Sequence, residues 1–191
     1  NQCCVSREKD TPDPQFETLK NKYLQKGGLF TDAEFPPSPK SLIPDWSHPD
    51  PHLQSLAEAW KDVEWVRAKD IPLLNDDEGK LQIFAGKIEP GDINQGNLGD
   101  CYFLSVLSVL TEQPDRVRKL FVTEEVNKQG IYAMNLTKNG IKTQVVVDEF
   151  IPCLDKAPFF SSANGNELWV ILLEKAWAKL HGNYQSIAGG Q

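Results

Sequence analysis

Residues 101–110 read Cys-Tyr-Phe-Leu-Ser-Val-Leu-Ser-Val-Leu, and no other stretch constrains the fold of this chain so strongly. A run with so many apolar side chains belongs in a core rather than on a surface. A buried strand would give the same pattern. Asp100 ahead of it is a good helix N-cap and the run continues through Gln113, which together favour a buried helix starting at Cys101. Pro114-Asp115 then restarts a second short helix, because proline suits a first helical turn.

The remainder of the second half is equally regular. Residues 131–136 and 141–147 flank Lys138-Asn139-Gly140, and Asn-Gly between two apolar runs predicts a β-hairpin. From Glu167 to Leu180 the residues Leu168, Ile171, Leu172, Lys175, Ala176 and Lys179 recur at helical spacing, with Asn166 as the cap and Gly182 as the stop. Helices around the cysteine, a hairpin and a late helix, with no βαβ repeat, define an α+β class.

The first half is less regular. Residues 1–12 are polar and read as a leader. A helix carrying Phe16, Leu19, Tyr23 and Leu24 follows and stops at Gly27-Gly28. Between Leu29 and Pro51 stand six prolines, a density that predicts an extended segment laid over a surface. Trp46, Trp60 and Trp65 supply large apolar anchors.

Composition narrows the function. A net charge of -7 and a pI near 5.0 argue against a nucleic-acid partner, which would require a basic face. No apolar run approaches the ~20 residues of a membrane helix. Residues 1–30 hold no apolar signal-peptide core. The four cysteines, Cys3, Cys4, Cys101 and Cys153, lack zinc spacing, and the adjacent pair is poor disulfide geometry. Reduced thiols in a cytoplasmic protein follow. Cys3 and Cys4 would also be acylation candidates if the true N-terminus lay close by.

The chemistry gathers at Gln95-Gly96-Asn97-Leu98-Gly99-Asp100-Cys101. Gly96 and Gly99 allow a tight turn and close backbone approach by a substrate. At the first turn of a helix, Cys101 meets free N–H groups and the positive end of the helix dipole, which favour a thiolate. The Cys101 N–H can hold a developing oxyanion, with the Gln95 side-chain amide as second donor. A lone cysteine opening an apolar helix is ordinarily a small buried hydrophobe. The residues that precede this one give it a mechanism.

Gln95 to Phe103 resembles the signature around the active cysteine of calpain-like cysteine proteases, members of the papain-like superfamily. Further segments resemble that family in its own order. They are Gly28-Leu29-Phe30-Thr31-Asp32-Ala33-Glu34-Phe35-Pro36-Pro37, Glu64-Trp65-Val66-Arg67, Val145-Val146-Val147-Asp148, Asn166-Glu167-Leu168-Trp169 and the stretch from Leu172 to Tyr184. Tyr102 stands where the family usually has tryptophan, and His181 where it often has asparagine.

The resemblance implies a calcium-dependent intracellular endopeptidase acting on protein substrates, with Cys101 as nucleophile and Gln95 as oxyanion-hole donor. It implies one calcium ion held by the carboxylates of Asp92 and Glu167 and the carbonyls of Ala85 and Lys87. Pro90 replaces a basic residue that pairs with the second subdomain in many members, so coupling between subdomains is expected to differ. In calpains the histidine and asparagine lie in that second subdomain, and none of His48, His52 and His181 is placed to replace them. The expected organisation is a leader and helix over residues 1–27, then the first protease subdomain over residues 28–191, with the second subdomain and any regulatory domains as partners in the same chain. The alternative is a non-catalytic calpain-like module that binds or regulates.

Overall fold

The computed structural model describes residues 13–75 and 80–189. The leader, Cys3 and Cys4 lie outside these residues. Helix α1 spans Pro14–Lys26, with the Asp13 side chain accepting from the Gln15 N–H and Gly27 closing it at φ 67°. It is anchored where its buried Phe16 packs with Phe30, Ile131 and Ala133.

The proline-rich stretch departs from expectation. It is not extended throughout: α2 occupies Pro39–Leu42, and Pro51 opens α3, Pro51–Trp60. Each proline sits at the first helical position, where its missing N–H would have had no partner and its fixed φ is already helical. Asp50 caps α3 by accepting from the His52 and Leu53 N–H groups. The helix ends on Trp60, which is fully buried and meets Phe160 edge-on at 4.9 Å between ring centroids.

Three small antiparallel sheets follow among the described residues. Strand β1 (Glu64–Arg67) is paired along its length with β5 (Phe150–Leu154), which also pairs with β6 (Ala157–Pro158). Strand β2 (Ile93–Asn94) pairs with β7 (Ser162–Ala163). The hairpin is β3 (Ile131–Lys138) and β4 (Ile141–Asp148), in register from Ile131–Asp148 to Lys138–Ile141. Its turn has Asn139 and Gly140 at φ 53° and 76°, the left-handed pair that an Asn-Gly hairpin turn requires. Asn135 is buried in β3, where its side-chain oxygen accepts from Gln144.

Helix α4 covers Cys101–Thr111 and α5 Pro114–Arg118. Helix α4 is not buried all round. Leu104, Leu107 and Thr111 face the core, while Val106 and Val109 are 57% and 68% exposed. The more deeply enclosed helix is α6, Trp169–His181, whose residues from Trp169 to Ala176 are all buried. It begins two residues later than the spacing predicts, and Asn166 does not cap it. The Asn166 side chain donates to the Lys80 carbonyl instead, and its own carbonyl accepts from the Gln82 N–H. Gly182 closes α6 at φ 100°. Leucine, isoleucine and valine buried to this degree contribute ~1.5–3 kcal/mol each, which makes α6 the axis of the larger core.

Candidate active site

Cys101 is the first residue of α4 and its side chain is exposed. Cys153, the other free thiol among the described residues, is buried in β5, and burial pushes its thiol up to about 12. The two sulfurs therefore differ in access. At N1 of a helix, the Cys101 N–H has no intrahelical acceptor and points outward as a donor.

The turn that delivers Cys101 is anchored along its length. Before it, β2 is fastened to β7. Within it, the Asn97 N–H and side-chain amide both donate to the Phe159 carbonyl at 3.1 Å, and Leu98 is buried in the aromatic cluster of Trp60, Phe159, Phe160 and Tyr184. At its end the Gly189 N–H donates to the Gly99 carbonyl at 3.1 Å, and Gly99 takes φ 74°. Gln95 and Cys101 thus stand exposed at the two ends of one fixed turn.

Gly96 fits only because it lacks a side chain: a Cβ there would fall inside the Phe160 carbonyl. The contact is with backbone, which cannot rotate away. Gly96→Ala is expected to lose ~1–3 kcal/mol of stability, the usual cost of overpacking, and to displace Gln95 from Cys101. Urea denaturation alongside kcat checks this. An alanine variant with the parent's midpoint and kcat would show that the close approach does not hold the turn.

Asp100 occupies the N-cap position, but its side chain makes no capping hydrogen bond. The carboxyl is buried, with neither oxygen accepting from a donor, and it meets the carboxyl of Glu174 on α6. Burial pushes Asp100 up from the ordinary carboxylate range, and Glu174, buried beside it, is pushed up further by burial and then by the Asp100 charge. Sequence reading missed this pair, since an acid before a helix looks like a cap.

Tyr102 turns inward, its hydroxyl accepting from Trp177 Nε1 at 3.2 Å, while Phe103 stacks on the Trp177 ring at 5.5 Å. The aromatic change after the cysteine thus keeps a contact to α6. His181 Nδ1 lies 2.9 Å from the Trp177 carbonyl and its ring 4.2 Å from the Trp177 ring, so it is engaged within its own helix. His48 accepts from the Asp50 N–H at 3.2 Å, and His52 lies in the first turn of α3.

The residues expected to hold calcium fall into two adjoining segments. Glu167 is buried, accepting from the Ala85 N–H through one oxygen and from Trp169 Nε1 at 2.9 Å through the other. Asp92 ends a short 3-10 turn opened by Pro90, and accepts from the Glu89 N–H at 2.7 Å. Burial pushes the Glu167 carboxyl up, and the Asp92 charge adds to that shift, which puts the two carboxylates within electrostatic reach. Lys87 is exposed and pairs with Glu89 at 2.8 Å. Among the described residues no group of three or more His, Cys, Asp or Glu side chains converges as a metal cluster. The Asp92 and Glu167 carboxylates repel each other, and carboxylate oxygens are ligands that suit a hard dication such as calcium.

An exposed thiol at a helix start, a free N–H, a fixed glycine turn and an amide upstream have the parts of a thiol-dependent acyl-transfer site. Comparison with known proteins gives the family. Residues 30–191 match the calpain family cysteine protease domain. The chain is 42% identical over 163 residues to the calpain-type cysteine protease DEK1 of Arabidopsis thaliana, covering 84% of this chain and 7% of that protein. It is 35% identical over 179 residues to the calpain-2 catalytic subunit of Rattus norvegicus, covering 92% of this chain and 24% of that one. This chain belongs to the calpain family of cysteine proteases. It spans well under a third of the length of these relatives.

Proposed function

We propose that this chain supplies the nucleophile half of a calcium-dependent cysteine endopeptidase that carries out limited cleavage of cytoplasmic proteins. The observation that carries the reading is Cys101, exposed at the first turn of α4 on a turn fixed at both ends. A histidine from a second protease subdomain takes the Cys101 proton. The thiolate then adds to the peptide carbonyl, and the oxyanion is held by the Cys101 N–H and the Gln95 amide. Collapse of the adduct expels the amine, which takes the proton back from histidine. Water releases the acyl group and restores the thiol.

Asp92, Glu167 and the carbonyls of Ala85 and Lys87 would hold calcium, which supplies positive charge that draws the two carboxylates together. This reading is supported by the Glu167–Asp92 repulsion and the all-oxygen donor set. No helix among the described residues is long and apolar enough to cross a membrane. The cytoplasmic assignment rests on the free thiols of Cys101 and Cys153.

The test is alkylation of the full-length protein with iodoacetamide. Carboxamidomethylation of Cys101 is expected to run in step with loss of casein hydrolysis while the buried Cys153 stays unlabelled, and residues 1–191 assayed alone are expected to hydrolyse no casein. Proteolysis that persists with Cys101 fully alkylated defeats the nucleophile assignment. A full-length protein that cleaves nothing even with calcium favours the non-catalytic binding module.

A further inference from the structure

Asp100 and Glu174 lie on different elements, one ahead of α4 and one in the middle of α6, and each is 1% exposed. Both Glu174 oxygens accept from the Ser161 N–H, at 3.1 and 3.2 Å. No group of another residue donates to the buried Asp100 oxygens, and the Glu174 carboxyl lies within hydrogen-bonding reach of them. Two ionised carboxylates in buried contact repel strongly. With one proton between them, one carboxyl donates and the other accepts, and the pair is satisfied. The neighbours agree with a single shared charge. Lys175, the next residue on α6, is turned away to Asp148. Facing the pair is Tyr184, from the segment after α6, whose buried hydroxyl also lacks a hydrogen-bond partner. Beyond Tyr184 lie the Asp148 carboxylate, paired with Lys175, and the Cys153 thiol, which burial keeps protonated. The Ser161 side brings an N–H and a hydroxyl without charge.

We propose that Asp100 and Glu174 share one proton and act as a positioning pair that ties the first turn of α4 to α6, fixing the sulfur and N–H of the adjacent Cys101. Asp100 immediately precedes the thiol, so its side-chain anchor sets the direction of the first helical turn. The bond also explains why the Asp100 side chain forgoes capping: its carboxyl points inward to Glu174, while its main-chain carbonyl accepts from the Phe103 and Leu104 N–H groups. The pair rests on the reading of Cys101 as nucleophile only for its effect on catalysis; the shared proton stands apart from it.

The sign of the pH effect follows from burial. Glu174 holds its proton more tightly folded than unfolded, so the stabilisation is complete below the unfolded carboxyl range and is lost as pH rises through the folded values. A glutamine at 174 donates without titrating. The experiment compares Glu174→Gln and Glu174→Leu in the full chain by kcat/KM, by the pH profile of Cys101 alkylation and by the unfolding midpoint from acid to alkaline pH. Glu174→Leu is expected to lose about 30-fold or more in kcat with little change in KM, since sub-ångström misplacement of a nucleophile costs that much. Glu174→Gln is expected to recover most of that loss. Its unfolding midpoint should gain about 3 °C or more on the parent as pH rises, and its alkylation rate should gain on the parent's over the same range. A Glu174→Gln variant as impaired as Glu174→Leu, or one that tracks the parent in midpoint and alkylation at every pH, overturns the shared proton. If Glu174→Leu does not fold, Glu174→Gln alone decides. A parent chain that cleaves nothing removes the protease reading, and the unfolding midpoints still decide the pair.

Discussion

Cys101→Ser is expected to lower casein hydrolysis by the full-length protein ~10⁴-fold or more, while its stability stays within ~0.5 kcal/mol of the parent. The two halves of that expectation come from different facts. The side chain is exposed, so a serine hydroxyl of nearly the same size in its place gives up little burial. Its chemistry has no substitute nearby. Serine is a far weaker nucleophile without a strong base, and the three histidines of this chain are engaged with α6 or sit in the α3 approach. Gln95→Ala gives a graded companion: one oxyanion donor removed costs about 10²–10³ in kcat with KM nearly unchanged. A Cys101→Ser enzyme retaining a tenth of the parent's proteolysis would mean that another group attacks the peptide (tenfold being about 1.4 kcal/mol in barrier). A loss of activity that came with a large fall in stability would trace the effect to the fold.

Elements governed by local chemistry were legible before the structure. Asn139-Gly140 forces a left-handed pair, and nothing remote can change that, so the hairpin and its register follow. The span of α6 could be read from its apolar spacing and its glycine stop. Its start could not. Asn166 looks like a cap in isolation, yet the Gln82 and Lys80 backbone claims both its groups. The helix α3 was hidden by its own starting residue: proline density reads as an interruption, although Pro51 with Asp50 before it is a helix opening.

The site divides in the same way. Gly96 announces that something approaches closely, but only the fold says that it is the Phe160 carbonyl. Asp100 before Cys101 reads as a cap because caps depend on the next three residues. Its true partner, Glu174, is 74 positions away, as 174 − 100 shows. The exposed face of α4 was misread because composition registers how apolar a helix is and not which neighbours cover it. Cys101 and Gln95 were singled out from the ordered string around them, and the structure leaves both side chains exposed at the ends of that turn.

The largest effect on stability is expected at Lys175. Its side chain is 1% exposed, and its ammonium group donates to the Asp148 carboxylate and to the Asp148 and Phe150 carbonyls. Asp148 also accepts from the Asp32 N–H at 2.8 Å and the Phe150 N–H at 3.0 Å, while Asp32 pairs with Lys179 at 2.7 Å. One buried cation thus joins α6 to the end of β4, the start of β5 and the segment ahead of α2. Burial pulls the Lys175 ammonium below its ordinary range, and the Asp148 carboxylate opposes that. Such a pair gains little over a well-packed apolar replacement, but halving it strands a charge in the core. Lys175→Met should therefore lose ~3–5 kcal/mol in urea denaturation, and Asp148→Asn a similar amount. In the double variant the losses should fall short of their sum by ~1–3 kcal/mol, because neither partner is then left alone. Additive losses, or single losses under ~1 kcal/mol with an unchanged m-value, would show that the apolar packing of α6 alone carries the fold. The consequence reaches the thiol. Glu174 and Lys175 leave α6 on different sides, so a helix released from Asp148 can rotate Glu174 away from Asp100, and Cys101 loses its support before the hairpin or α1 is disturbed.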